Sequence, residues 1–483
     1  DFSCAVFDGR GALVANAPHI PVHLGSMGDS VISLLRAINS GARAPLAPGD
    51  VVLSNNPYNG GTHLPDITAI TPVFAADEAF GASPVLFVAS RGHHADIGGI
   101  TPGSMPASSH CIEEEGLLLD NEPLLTKGDI DEAAWRHRFG AGRHPVRDPD
   151  LLLADLLAQV AANRRGVEGL QSLIAREGLD QVQAYMAHVQ ANAADAVRRL
   201  IPRLRDGEAQ LRLDDGALIA VTVSVDPTAQ RLRIDFTGSS KQHEGNRNAP
   251  LAVTRAVVLY VIRTLVAESI PLNAGCFAPI DLIVPAGTLL NPLPPAAVVA
   301  GNVEVSQAAA NALLLALGAQ AASQGTMNNL SFGNGQYQYY ETIGGGCGAG
   351  PGYAGGSAVQ SHMTNSRLTD PEILESRLPL RVERLAVRHG SGGGGQWRGG
   401  DGVIRQLRFL EPMQVSLISG SRQVAPPGLA GGCSGALGLN LLLQRDGEQQ
   451  ELPGCCELAI SSGQALRIET PGGGGYGVPI DQD

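Results

Sequence analysis

The sequence predicts an α+β protein, with antiparallel, sheet-rich N- and C-terminal parts on either side of a helical insertion. Three observations carry that expectation. Through about residue 125 the apolar residues come in short strand-like runs broken by Gly, Pro and Asn, with a single helical window. Between Asp148 and Arg205 the apolar residues fall at the helical spacing of about 3.6. Beyond Gln336 the strand-like runs return, now set among glycines. The chain accordingly divides into a β-rich region 1–147, a helical hairpin 148–205, a mixed region 206–335 and a glycine-rich β region 336–483.

Taken in order, Asp8-Gly9-Arg10-Gly11 between Val6 and Leu13 reads as a hairpin turn. A helix is expected from about Met27 to Asn39, ending before the Gly41, Pro45 and Pro48 cluster. Strands follow at Val51–Ser54, Ile67–Phe74 and Val85–Ala89, and the mixed charge and glycine of 121–147 read as linker. Asp148-Pro149 has the form of an N-cap and first turn, Gly166 or Gly169 is placed to bend the helix, and Gly178 to end it. A second helix is expected over Asp180–Leu204. A hairpin Leu218–Val225/Leu232–Phe236, a helix from Ala252, a strand Asp281–Val284 and a helix Ser306–Ala321 complete the middle.

A net charge of −13 and a pI near 5.4, with no basic stripe or basic helix, exclude nucleic acid and membrane surfaces as expected partners. Glycine, at 61 residues, together with 43% apolar residues, implies tight turns and close backbone approaches rather than disorder. Seven cysteines without a C-x-x-C pair suggest free thiols in a reducing cytoplasm. No signal peptide is visible, no apolar run reaches the length of a span, and Leu251–Ala267 is broken by Arg255 and Arg263. The opening at Asp1 reads as the start of a fragment. The runs Gly392–Gly395 and Gly472–Gly475 lack the G-x-x-x-x-G-K-[ST] pattern, so no nucleotide site is expected. Cys111 beside His110 is a weak nucleophile candidate, because neighbours on a strand point apart.

Chemistry concentrates between Ser54 and Gly99, in SNNPYNGGTHLPD and SRGHHADIGG. His63, His93, His94, Asp66 and Asp96 fall within 34 residues, each at the edge of an apolar run. Imidazole with carboxylate is the ligand mix that suits Zn, Mn or Fe. A lone histidine is more often structural; a cluster flanked by Asn55, Asn56 and paired glycines points to a divalent metal. Pro65 rules out a helix at HLPD, so two strand ends are expected to present the ligands. His93 and His94 then face opposite ways, and the parity of Val85, Phe87 and Ala89 selects His93 as the ligand. His94 is left to face substrate or to hydrogen-bond Asp96, which gives His93, His94 and Asp96 as the catalytic candidates. Asn248, Asn302, Asn328, Asn329, Glu341, His362 and Asn365 recur in apolar or glycine-rich settings. Singly each reads as a turn or cap residue; together they suggest a polar substrate pocket, with Asn248, Asn302, Glu341, His362 and Asn365 as its candidate contacts.

DFSCAVFD, NAPHIPVHLGSM, GGTHLPD, SRGHHADIGGITPGSMP, QVAANRRG, SHMTNSRLTDPEILESR, RGGDGV and TPGGGGYG together resemble the hydantoinase B/5-oxoprolinase family across essentially the whole chain. HMTNSRLTDPEILESRLP and QAYMAHVQANA are closer to its 5-oxoprolinase branch than to N-methylhydantoinases or acetone carboxylase. The resemblance implies an actin-like ATPase partner of hydantoinase A type, fused or separate, in a hetero- or homo-oligomer. That partner, using ATP and Mg not bound here, would phosphorylate the lactam carbonyl oxygen. The present chain, inactive alone, would open the activated ring with hydroxide generated on one divalent metal, turning 5-oxo-L-proline into L-glutamate. The implied ligands are His63, Asp66, one of His93 and His94, and Asp1, although nothing in the sequence precedes Asp1 to support it. A hydantoinase- or acetone-carboxylase-type subunit, or a non-catalytic scaffold for the ATPase, stand as alternatives.

Overall fold

A computed structural model describes residues 2–17, 19–75 and 83–479. Among the described residues the architecture is α+β, with four sheets and a helical region between the first sheet and the rest. The first sheet takes β1 (Phe2–Asp8), β2 (Leu13–Asn16), β3 (Val51–Ser54), β4 (Asp66–Val73), β5 (Leu86–His93) and β6 (Glu122–Leu125), in the order β2-β1-β5-β4-β3-β6. Every neighbouring pair in it is antiparallel. β4 is buried along its whole length and β5 in all but its last residue, because helix Pro21–Asn39 packs on one face of the sheet and helix Pro149–Glu177 on the other.

Helix α1 (Pro21–Asn39) covers that sheet on one side. It begins six residues before the Met27 that sequence periodicity marks as its start. Pro21 at the first helical position needs no hydrogen-bond partner and already has the helical φ, so the proline is a start signal here rather than a stop. The segment 121–147, expected to be linker, is ordered structure that holds β6 and α2 (Glu132–Gly140): Trp135 and Phe139 pack into the core with Leu152 and Leu156. Its polar composition reflects a short helix with one buried face, not a linker. Helices α3 (Pro149–Glu177) and α4 (Leu179–Leu200) form the expected hairpin, turning at Gly178 with φ 84°. Gly166 lets α3 lie against β5; a Cβ there would meet Val88 at 2.9 Å.

The second sheet holds β7 (Gly207–Arg212), β8 (Leu218–Asp226), β9 (Arg231–Asp235) and β10 (Ile280–Ile283), with β9 and β10 parallel. Against it pack α5 (Leu251–Leu265) and α6 (Ser306–Ala316). Helix α6 stops five residues short of the expected Ala321 and is preceded by a π-helical turn, Gly301–Val305. The C-terminal elements are β11 (Asn329–Gly333), β12 (Gln338–Thr342), α7 (Pro371–Arg377), β13 (Leu380–Arg388), β14 (Gly402–Phe409), β15 (Met413–Ile418), β16 (Leu439–Leu443), β17 (Gln449–Leu452), β18 (Cys455–Ile460) and β19 (Ala465–Glu469). They make antiparallel sheets β12-β11-β15-β18 and β13-β14-β19-β16-β17. The glycine runs are close backbone packing: a Cβ on Gly472 would lie 1.9 Å from the Ser391 carbonyl oxygen, and one on Gly473 1.9 Å from that of Cys347. No helix among the described residues is long and apolar enough to cross a membrane.

Candidate metal centre

The HLPD turn is fixed by its surroundings before any ligand is considered. Asn55 donates to the carbonyls of Leu64 (2.8 Å) and Leu117 (2.9 Å) and accepts from the Leu119 N–H (2.7 Å). The adjoining Gly61 is required, since a Cβ there would meet the Asn55 carbonyl oxygen at 2.4 Å. Asp66 opens β4 directly opposite His93, the last residue of β5. Strand β5 runs four residues beyond the Ala89 expected as its end, so Gly92 leaves its parity intact and His93 stays on the Asp66 side.

Asp66, 1% exposed, is the hub. One carboxylate oxygen accepts from the Thr62 hydroxyl (2.6 Å) and lies 2.9 Å from His63 Nδ1 and 3.2 Å from His23 Nε2. The other lies 3.1 Å from His93 Nδ1. Burial alone would push the Asp66 carboxyl up, but His63 and His23 beside it outweigh burial and hold it well below the usual carboxylate range. Burial also lowers His93 and His23, favouring neutral imidazoles. Ionised carboxylate with neutral imidazole is the protonation state a metal requires of its ligands.

His63, Asp66 and His93 each offer a donor atom, all within 4.8 Å of one another. The Nε2 atoms of His63 and His93 are buried without a hydrogen-bond partner. Two orphaned imidazole nitrogens beside an ionised carboxylate fit a divalent ion, and the mixed donor set suits Zn, Mn or Fe. Asp1, named as a fourth ligand by resemblance, lies outside the described residues.

The other candidates scatter. His94 points to the opposite side, bonding Gln159 Oε1 at 3.0 Å, with Asp155 at 3.9 Å; burial lowers it to about 4. Asp96 is not its partner: the carboxylate is held by the Arg147 guanidinium (2.7 Å) and the Gly98 N–H (3.0 Å), closing a turn. Asn302, on the π-helical turn, does reach the cluster, with Nδ2 3.0 Å from His63 Nδ1. Asn248 does not: its amide bonds the carbonyls of His243, Gly245 and Ala297, bracing the loop on which Gly301 packs. Glu341 is buried against Arg405, with both contacts at 3.1 Å. His362 bonds Asn311 at 2.8 Å beside α5 and α6, and Asn365 is exposed, bonding the His19 carbonyl at 3.3 Å.

Sequence reasoning missed His23 and Tyr340. His23 is oriented by the Ser3 hydroxyl at 3.0 Å and lies inside NAPHIPVHLGSM, but beginning α1 at Met27 left it outside the helix. The Tyr340 ring stacks on His93 at 5.0 Å, and its hydroxyl donates to Asn329 Oδ1 (2.8 Å). Asn329 in turn donates to Glu304 Oε1 (2.8 Å), a buried carboxyl that desolvation pushes up to about 8. No motif marks Tyr340; the β11–β12 pairing and the π-helical turn bring it together with Asn329 and Glu304. A cavity of about 380 Å³ opens beside His93, lined by Tyr340, Glu341, Asp155, Gln338 and Arg367 among others.

The family model described as Hydantoinase B/oxoprolinase matches residues 1–479. The chain is 45% identical over 507 residues to 5-oxoprolinase 1 of Arabidopsis thaliana, covering 99% of this chain and 39% of that protein. It is likewise 45% identical over 486 residues to the 5-oxoprolinase of Dictyostelium discoideum, covering 99% and 37%. It therefore spans less than two fifths of the length of either relative. Among solved structures it is similar to the ATP-dependent caprolactamase of Pseudomonas jessenii, with a TM-score of 0.87 and 25% identity, covering 99% of this chain and 85% of that one. The chain belongs to the hydantoinase B/oxoprolinase family.

Proposed function

We propose that the chain is the hydrolytic half of an ATP-dependent 5-oxoprolinase, opening a lactam whose carbonyl oxygen an actin-like ATPase module of hydantoinase A type has phosphorylated. The carrying observation is the buried Asp66 with its histidines, in which the Nε2 atoms of His63 and His93 have no partner. A scaffold for an ATPase has no use for such atoms. Two curated relatives of this chain carry the name 5-oxoprolinase, which supports the substrate.

His63, Asp66 and His93 would hold the metal, with Asp1 as a proposed fourth ligand. A divalent ion there would lower the pKa of a bound water towards neutrality and so supply a nucleophile at working pH. The protein's own contribution is orientation. Asp66 fixes both imidazoles through their Nδ1 atoms, Thr62 and His23 fix Asp66, and Asn302 abuts His63. His94, just past the end of β5, is held by Gln159 on the face opposite His93 and would position the backbone there rather than act on the substrate. Phosphorylation makes the carbonyl carbon a good electrophile. Addition of water, cleavage of the C–N bond and protonation of the ring nitrogen then give an open-chain acyl phosphate, and a second water hydrolyses it to the carboxylate and phosphate. All seven cysteines are unpaired, the state of a reducing compartment, so the proposal places the enzyme in the cytoplasm.

The test is glutamate formation from 5-oxoproline and ATP by the chain together with its ATPase module. Stoichiometric glutamate and ADP are expected. Carboxylation of a ketone, or opening only of lactams other than 5-oxoproline, would assign the chain to another branch of the family.

A further inference from the structure

Charge in the cavity beside His93 is unevenly satisfied. Glu341 is neutralised by Arg405, and Tyr339 donates to the same carboxylate at 3.0 Å. Asp155, 49% exposed, pairs with no Lys or Arg among the described residues and has only His94, which burial keeps neutral, at 3.9 Å. Arg367 is the one Lys or Arg among the described residues lining this cavity. It is exposed, and no hydrogen bond or ion pair of the described residues engages it. Arginine offers a planar fork of donors matched to a carboxylate or phosphate. A free guanidinium in a cavity of about 380 Å³ that also opens on His93 is therefore a receptor for an oxyanion on whatever reacts there.

Resting on the reading of this site as a lactam-opening centre, we propose that Arg367 binds the substrate carboxylate and thereby selects lactams that carry one. The phosphate of the activated substrate is the other possible source of the oxyanion. It is disfavoured because it sits on the reacting carbonyl, next to the metal ligands, and a divalent ion there would meet its charge. Asp155 completes the match: the ring nitrogen leaves as an ammonium, and Asp155 is the free carboxylate lining the same cavity. One free cation and one free anion suit an α-amino acid product.

The experiment compares 5-oxoproline, its carboxylate-free analogue 2-pyrrolidinone and inorganic phosphate as ligands of the purified chain by calorimetry, and the two lactams as substrates with the ATPase module present. Wild type should prefer 5-oxoproline to 2-pyrrolidinone. Arg367→Gln should weaken 5-oxoproline binding and raise its KM by about 10- to 100-fold, the range typical of losing a charge-assisted pair. It should leave kcat within about threefold and 2-pyrrolidinone unchanged, while Arg367→Lys recovers part of the loss. Equal affinity of wild type for the two lactams, an unaltered Arg367→Gln, or an Arg367-dependent affinity for phosphate alone overturns the assignment. If instead the carboxylate preference depends on Arg367 but no 5-oxoproline is opened, the reaction proposed above fails and the binding site stands.

Discussion

At the scale of the residue, the two adjacent histidines face opposite ways. His93 shares Asp66 with His63, whereas His94 bonds Gln159 on the other side of the strand. His93→Ala is expected to lose the bound metal. His94→Ala is expected to keep it and to lower stability by roughly 1–3 kcal/mol, because Gln159 Oε1 loses its buried donor. Metal analysis and thermal melting of the two variants check this, and the reverse pattern would exchange their roles. The distinction was legible in the sequence because side chains alternate along a strand, and β5 stays regular through Gly92. His23 was not legible, since its contact with Asp66 depends on where α1 begins. Asn248 and His362 read as pocket residues because a polar side chain that braces its neighbours and one that binds a ligand leave the same mark in a sequence, whereas Asn365 lines a separate cavity beside His19 and Tyr260.

At the scale of the element, the π-helical turn Gly301–Val305 carries Asn302 to His63 and Glu304 to Asn329. A π-helical turn is a common way of re-aiming side chains at a site, and nothing in helical periodicity announces it. A Cβ on Gly301 would sit 1.9 Å from the Asn248 carbonyl oxygen. Gly301→Ala should therefore cost at least about 1–3 kcal/mol, read as a lowered melting temperature; unchanged melting would mean that the turn yields freely. Glu304 gives a pH signature. Its carboxyl titrates near 4.5 ordinarily and at about 8 when folded, because burial disfavours its charge. Between those values the folded chain holds a proton that the unfolded chain has released, so this group makes stability fall as pH rises through the window. Each pH unit is worth at most about 1.4 kcal/mol. Glu304→Gln, which keeps an oxygen for Asn329 and the Met327 N–H, should flatten that part of the profile. Parallel denaturation curves for the two proteins from pH 5 to 8 would contradict it.

At the scale of the whole molecule, the α+β class and the order of sheet and helix were readable because each stretch keeps one apolar period. The assembly of the site was not. Asp66 and His93 belong to the first sheet, Asn302 to the turn before α6 and Tyr340 to β12, so three parts of the chain close on one point. The chain lacks a phosphate-loop motif, so alone it should turn over neither ATP nor 5-oxoproline; ADP release by the purified chain without a partner would refute this division of labour. The proposed chemistry requires the cluster to be a metal centre. Elemental analysis of the purified chain and of His63→Ala, after circular dichroism shows that both are folded, addresses that directly. About one divalent ion per chain in the wild type and a loss well beyond tenfold in affinity in the variant are predicted, since removing a ligand exceeds the roughly 10- to 100-fold effect of disturbing a ligand's hydrogen-bond partner. Equal metal content in the two folded proteins would contradict the account.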